Sequence, residues 1–163
     1  MNKTSNPVHL ARASSAEKLD HAHGSVMTLL ADAAQTSGHL SITRSSFPKG
    51  ADGAPPHFHT KYTESLFVIS GRLQVLVNES TEILEAGDFI HLPASTPHAF
   101  GATSDSDADV LAVFSPAADR FDYYRLLERV VKGSADASEI PASSLEYDNN
   151  YVPSPAWEAA RAR

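Results

Sequence analysis

The sequence predicts an all-β fold: one small barrel with a single C-terminal helix packed outside it. Three observations carry that expectation. Short apolar runs recur between residues 26 and 114, separated by Gly- and Pro-containing breaks, at the spacing of barrel strands. Where polar residues interleave them, side chains alternate with the strand period of two. A helical period appears only over Asp119 to Val131, after Pro116 has ended the strand region.

Residues 1–24 read as a polar, irregular arm with one short strand or turn near Val8-His9-Leu10. Val26 to Leu30 reads as a strand. His39 to Phe47 alternates, with Leu40 and Ile42 on one face and Ser41, Thr43 and Ser45 on the other, the pattern of a half-buried strand. Pro48 to Pro56 is a Gly/Pro-rich loop. Leu66 to Ile69 and Leu73 to Val77 flank Ser70-Gly71-Arg72, which reads as a hairpin turn. Thr81 to Leu84, Phe89 to Leu92 and Val110 to Phe114 supply further strands. In the helix, Phe121, Tyr124, Leu127 and Val131 share a stripe, and Gly133 stops it. The tail, with Pro141, Pro153 and Pro155, is expected to be extended or irregular, with a last short helix about Trp157. The division is therefore an arm (1–24), a barrel (25–115) and a helix with its tail (116–163). No internal repeat is present, so the expectation is one barrel and not a tandem pair.

With 163 residues, 42% of them hydrophobic and 20% charged, the chain suffices for one domain with a real core. A net charge of −7 argues against a nucleic-acid surface, which needs clustered Lys and Arg. The absence of Cys excludes disulfides, thiolate metal sites and cysteine nucleophiles. The polar N-terminus holds no signal-like apolar run, and no stretch approaches membrane-spanning length. A cytoplasmic protein without a membrane partner is the expectation.

The chemistry is concentrated in His57-Phe58-His59-Thr60-Lys61-Tyr62-Thr63-Glu64, followed downstream by Pro97-His98. Two histidines one residue apart point to the same side of a strand. A third histidine and a carboxylate on that side complete an all-N/O ligand set, which suits Fe, Ni, Mn, Co, Cu or Zn.

Those residues carry a resemblance. His57-x-His59-x4-Glu64-x6-Gly71 resembles the first signature motif of the cupin superfamily, and Gly87-Asp88-Phe89 through Pro97-His98 resembles the second. The resemblance spans residues 38–115. It implies a double-stranded β-helix, a jelly-roll-like barrel, whose facing strands bind one divalent transition metal per chain through His57, His59, Glu64 and His98. The ligand spacing, the Gly87-Asp88-Phe89 run and His98-Ala99-Phe100 are most similar to single-domain quercetin 2,3-dioxygenases. Ala51, Ser95 and Ala102 depart from the motifs at positions where the family favours glycine, glycine and asparagine; none is a ligand.

The resemblance implies a metal-dependent dioxygenase acting on a small aromatic or enol substrate of flavonol type. A metal-dependent isomerase or polyketide cyclase, and a non-catalytic metal or small-ligand binder, are the alternatives. Glu64 is either a plain fourth ligand or also the general base that accepts a substrate proton. Arg44, on the face of Leu40 and Ile42, either reaches into the barrel to hold a substrate anion or lies along its rim. Phe100, two residues from His98 and on its face, is a candidate wall of the substrate pocket. His91 is either an outer partner of the ligands or solvent-facing, and His9, His21, His23 and His39 are expected at the surface. A homodimer is expected, because the N-terminal arm is too polar to add to the core of one barrel.

Overall fold

The computed structural model describes residues 8–162. Ten strands follow one another as β1 (Lys18–Asp20), β2 (Val26–Ala31), β3 (Ser41–Phe47), β4 (His57–Phe58), β5 (Thr63–Val77), β6 (Ser80–Glu85), β7 (Phe89–Leu92), β8 (His98–Ala102), β9 (Ala108–Ser115) and β10 (Asn150–Tyr151). Four short helices accompany them: α1 (Ala33–Thr36), α2 (Phe121–Val131), α3 (Glu139–Ala142) and α4 (Pro155–Arg161). The strands run antiparallel in the order β1-β2-β3-β9-β5-β8-β4-β10, with β6 and β7 also paired to β5. The fold is the expected all-β barrel. Its C-terminal helix is α2, and α4 is the short helix expected about Trp157, capped by Ser154 Oγ on Trp157 N–H at 3.2 Å.

The long strand β5 makes the barrel close. Its first half pairs with β9 and β7, its second half with β8 and β6. The ladder shifts register between Val68 and Ser70, and Gly71 follows at φ +75°. A Cβ at Gly71 would lie 2.0 Å from the Asp107 carbonyl oxygen, so only glycine fits this bend. The Ser70-Gly71-Arg72 signal is therefore a bulge that bends one strand from sheet to sheet, not a hairpin. The true two-residue hairpin lies at Asn78-Glu79, where Val77 pairs with Ser80 and Asn78 has φ +53°. The core lies between the two halves: Leu66, Val68, Leu73 and Val75 of β5 pack with Phe47, Leu92, Ala102, Val110 and Phe114.

Two other expectations change. Val8 to Leu10 form no strand and are exposed; the strand in the N-terminal arm is β1, which pairs with β2. On β3 the buried face is Ser41, Thr43, Ser45 and Phe47, while Leu40 is 36% exposed and Arg44 points outward. Apolarity misassigns this strand because its inner face borders a cavity and a buried hydrogen-bond cluster. Ser41 Oγ donates to Asp32 Oδ1 at 2.6 Å and accepts from Ala118 N–H at 2.8 Å. The face of Leu40 and Ile42 meets the outer residues of β9 instead. Among the described residues no helix is long and apolar enough to cross a membrane.

Candidate metal centre

The local sequence explains how the four candidate ligands converge. β4 pairs with β8 so that His57 lies directly opposite His98. His59 follows two residues after His57, and Glu64 is the second residue of β5, where it pairs with Leu92 on one side and Phe114 on the other. Each of the four is at most 5% exposed, and one ligand atom from each lies within 4.8 Å of all the others.

Each imidazole is held by its far nitrogen. His57 Nδ1 donates to the Pro55 carbonyl at 2.7 Å, His59 Nδ1 to the Asp148 carbonyl at 2.7 Å, and His98 Nδ1 to the Thr96 carbonyl at 2.8 Å. A carbonyl oxygen only accepts, so each Nδ1 carries a proton and every Nε2 turns inward. The Nε2 atoms of His57 and His59 then face each other at 3.1 Å. Two inward lone pairs at that separation repel unless a positive charge lies between them. Glu64 Oε2 completes the set, 2.9 Å from His98 Nε2 and 3.4 Å from His59 Nε2. Such Nδ1–carbonyl bonds are what fix ring orientation in imidazole metal sites. The donor set fits a first-row divalent ion, and the cluster is able to hold one.

Electrostatics without an ion point the same way. Burial, then the neighbouring His98 and His59, holds the His57 pKa at about 3, so its ring is neutral near pH 7. Burial pushes Glu64 upward, but hydrogen bonds from His59 and His98 outweigh it and keep the carboxylate ionised. Burial lowers His98, and the hydrogen bond and charge of Glu64 overcome that and raise it.

The cluster opens on a largely apolar cavity of about 470 Å³. Phe100 lines it, edge-on to Phe47 with ring centroids 6.1 Å apart. Arg44 does not. Its side chain lies on the outer face of β3, paired with Asp109, and is 42% exposed; the inverted facing of β3 removes it from the pocket. His91 is also outward and exposed, bonded to Ser65 Oγ at 2.9 Å. His21, expected at the surface, instead lines the cavity with its Nε2 buried and unpartnered. Burial lowers its pKa, with Glu128 acting in the opposite direction.

Sequence reasoning missed the contribution of the C-terminal segment. Asp148 accepts from Thr60 N–H (2.7 Å), Thr60 Oγ1 (2.8 Å) and Lys61 N–H (2.8 Å), and its backbone carbonyl orients His59. Tyr151 pairs with His57 across β10 and β4. Arg120, Tyr123, Tyr124 and Asn149 wall the cavity. None of them carries a local motif; only the fold brings a tail some ninety residues away onto the first motif.

Residues 43–114 match the cupin domain family. A 65-residue stretch is 32% identical to quercetin 2,3-dioxygenase of Bacillus subtilis (strain 168), covering 40% of this chain and 19% of that protein. The chain thus matches about a fifth of the length of this curated relative. Among solved structures, KdgF from Halomonas sp. superposes with a TM-score of 0.61 at 24% identity, over 69% of this chain and 97% of that one. An RmlC-like cupin from Shewanella frigidimarina gives 0.59 at 23% identity, over 72% and 96%. The polyketide cyclase RemF from Streptomyces resistomycificus gives 0.57 at 17% identity, over 76% and 97%. At these identities the structural likeness speaks to the fold. Motifs, fold and family match agree on one part of the chain: residues 43–114 form a cupin domain.

Proposed function

We propose that this protein is a metal-dependent enzyme in which His57, His59, Glu64 and His98 hold one divalent transition metal, and that it dioxygenates a small aromatic or enol substrate. The observation that carries the metal assignment is the convergence of three Nε2 atoms, each with its Nδ1 tied to a carbonyl, on one buried carboxylate. When bound there, the metal supplies Lewis acidity toward a substrate oxygen and, with four protein ligands, open positions for small molecules. The chain's own residues do the rest. Glu64 is ionised and buried, so it is fit to take a proton from a substrate hydroxyl placed beside Oε2. Phe47, Leu66, Phe100 and Phe114 line an apolar space that orients a planar body and excludes water.

The resemblance to quercetin 2,3-dioxygenase supports oxygen as co-substrate, over the short matching stretch. A second reading, a non-redox cyclase or isomerase, draws on the fold shared with a polyketide cyclase and with a Streptomyces nucleoside dehydratase. An oxygen electrode separates them. Metal-replete protein given a panel of flavonols and enolisable ketones consumes about one O2 per substrate lost under the dioxygenase reading. Substrate loss without oxygen uptake supports the second reading, and no turnover across the panel favours a passive binder.

The same proposal includes a homodimer. Phe67, Ile69 and Phe89 are 40%, 40% and 62% exposed on adjoining strands of one outer face, with Leu111 beside Phe67. An apolar face of this kind suits a second copy. Light scattering that reports a monomer at micromolar concentration removes this part.

A further inference from the structure

Arg120 precedes α2 and is 4% exposed. Its Nη1 donates to the Tyr62 hydroxyl and to the Tyr147 carbonyl at 3.0 Å, and its Nη2 to Asn149 Oδ1 at 2.7 Å. Aromatic rings surround the guanidinium, Phe114 and Tyr123 at 5.0 Å, Tyr124 at 5.6 Å and Tyr62 at 5.7 Å. No carboxylate pairs with it among the described residues: the ion pairs all involve other cations. Asp148, its neighbour in sequence to Asn149, is bonded to Thr60, Lys61 and Asn150 instead.

A buried cation to which no carboxylate is hydrogen-bonded is costly, and faces of π-density and the more distant charge of Glu64 only partly offset that cost. Two donors are also left over. Arg120 Nε and Asn149 Nδ2 are buried with no hydrogen-bond partner. Because Asn149 Oδ1 already accepts from Arg120, the amide is oriented and Nδ2 remains free to donate. Both residues line the cavity that holds the His/Glu cluster, and Asn149 is 3% exposed. Buried donors without acceptors, one of them on a guanidinium that no carboxylate bonds, select one kind of ligand.

We propose that Arg120 and Asn149 form an oxyanion-receiving subsite, and that the physiological substrate is an organic carboxylate with an apolar body. The inference rests on the proposed reading of this cavity as a substrate site, but not on the metal. Arg120 and Asn149 act as specificity-determining residues, gripping the carboxylate while the rest of the molecule extends along the apolar wall.

The test is calorimetric titration of 2-naphthoate and of its neutral isostere 2-naphthamide into protein stripped by chelator and into metal-loaded protein. The expected preference for the anion is about 10- to 100-fold in both, the range for hydrogen bonds to a charged group. Asn149→Asp gives Arg120 an internal carboxylate, so the preference should fall to about one or reverse while the melting temperature holds or rises. Asn149→Leu, which removes the donor without adding charge, should lower naphthoate affinity several-fold and leave naphthamide unchanged. Equal binding of the two probes to the stripped wild-type protein overturns the proposal, as does a preference that survives intact in a folded Asn149→Asp variant. A preference present only in metal-loaded protein places the anion on the metal and likewise overturns it. Failure of the metal assignment reads out separately, as absence of metal from the protein as purified.

Discussion

Asp148→Ala tests whether the C-terminal tail builds the metal centre or merely lies against it. The substitution removes an acceptor that serves Thr60 N–H, Thr60 Oγ1, Lys61 N–H and Asn150 Nδ2 at 2.7–3.0 Å. It also frees the turn, held at φ +51°, from which the Asp148 carbonyl reaches His59 Nδ1. Hydrogen bonds to a charged group contribute about 1.5–3 kcal/mol each, but Thr60 and Lys61 are exposed and water can satisfy their freed N–H groups. The lower end of the range over two principal bonds gives a loss of about 3 kcal/mol. For a chain of this size that lowers the melting temperature by about 6–12 °C. The more informative readout is metal affinity. Loss of an outer partner that orients an imidazole ligand costs about 10- to 100-fold. Chelator competition against the wild type, with Asp148→Asn as the milder control, reads it directly. A folded Asp148→Ala protein whose metal affinity stays within two-fold of wild type refutes the idea that the tail orients His59.

The remaining predictions follow from the same geometry. Alanine at His57, His59 or His98 should take metal content from about one per chain to near zero, measured by elemental analysis, and full occupancy in each variant would sink the assignment. Saturating metal at about a thousand times its Kd should stabilise the fold by about 4 kcal/mol, seen as a higher melting temperature than in chelator-treated protein. Glu64→Gln, with metal content measured alongside, should cut turnover per bound metal by roughly two to four orders of magnitude if Glu64 is the base; unchanged turnover in a metal-replete variant leaves it a ligand only. The metal-free protein should be acid-labile. His57 at about 3 is depressed below its unfolded value, so the unfolded chain takes up this proton first and stability falls as pH drops from about 6.5 toward 3. Glu64, also depressed, adds to that loss below the unfolded carboxylate range, whereas the raised His98 contributes stability that is complete below about 6.5 and lost at higher pH. Thermal melts between pH 4.5 and 7 that show no fall toward acid would contradict this.

The convergence of the four candidate ligands was legible because their arrangement depends on local rules. A period of two places His57 and His59 on one side, and the second motif brings His98 opposite, where the β4–β8 register joins them. Most strands were legible for the same reason. What misled was apolarity taken as a proxy for inside. On β3 the inward residues are Ser41, Thr43 and Ser45, because they border a polar cluster and a cavity, and Arg44 follows Leu40 and Ile42 outward. Gly71 misled differently: a glycine between two apolar runs fits a hairpin or a bulge equally, and the choice depends on Asp107, thirty-six residues away in sequence, crossing beside it. Asp148, Arg120 and Asn149 left no signal, since a carboxylate that receives backbone N–H groups and a guanidinium ringed by aromatics look like ordinary polar residues until the tail is in place.

That division of labour separates the candidate ligands from the wall that faces them. His57, His59, Glu64 and His98 define where an ion can be held, and they come from β4 and the residue after it, β5 and β8 of the barrel. The wall opposite comes from outside it: Arg120 at the start of α2, Tyr123 and Tyr124 within it, and Asn149 and Tyr151 about β10. The two parts answer to different constraints. Under the proposed reading, a barrel ligand cannot change without losing the ion, whereas a wall residue can change with only packing and substrate contacts at stake. Asp148 is where they meet, since one residue both fastens the tail and orients His59. Substitutions at Tyr123, Tyr124 or Asn149 should therefore alter which ligands bind while leaving metal content at about one per chain, and substitutions at Asp148 should alter both. Metal content that follows the wall residues as closely as it follows Asp148 would mean that barrel and tail form one indivisible site.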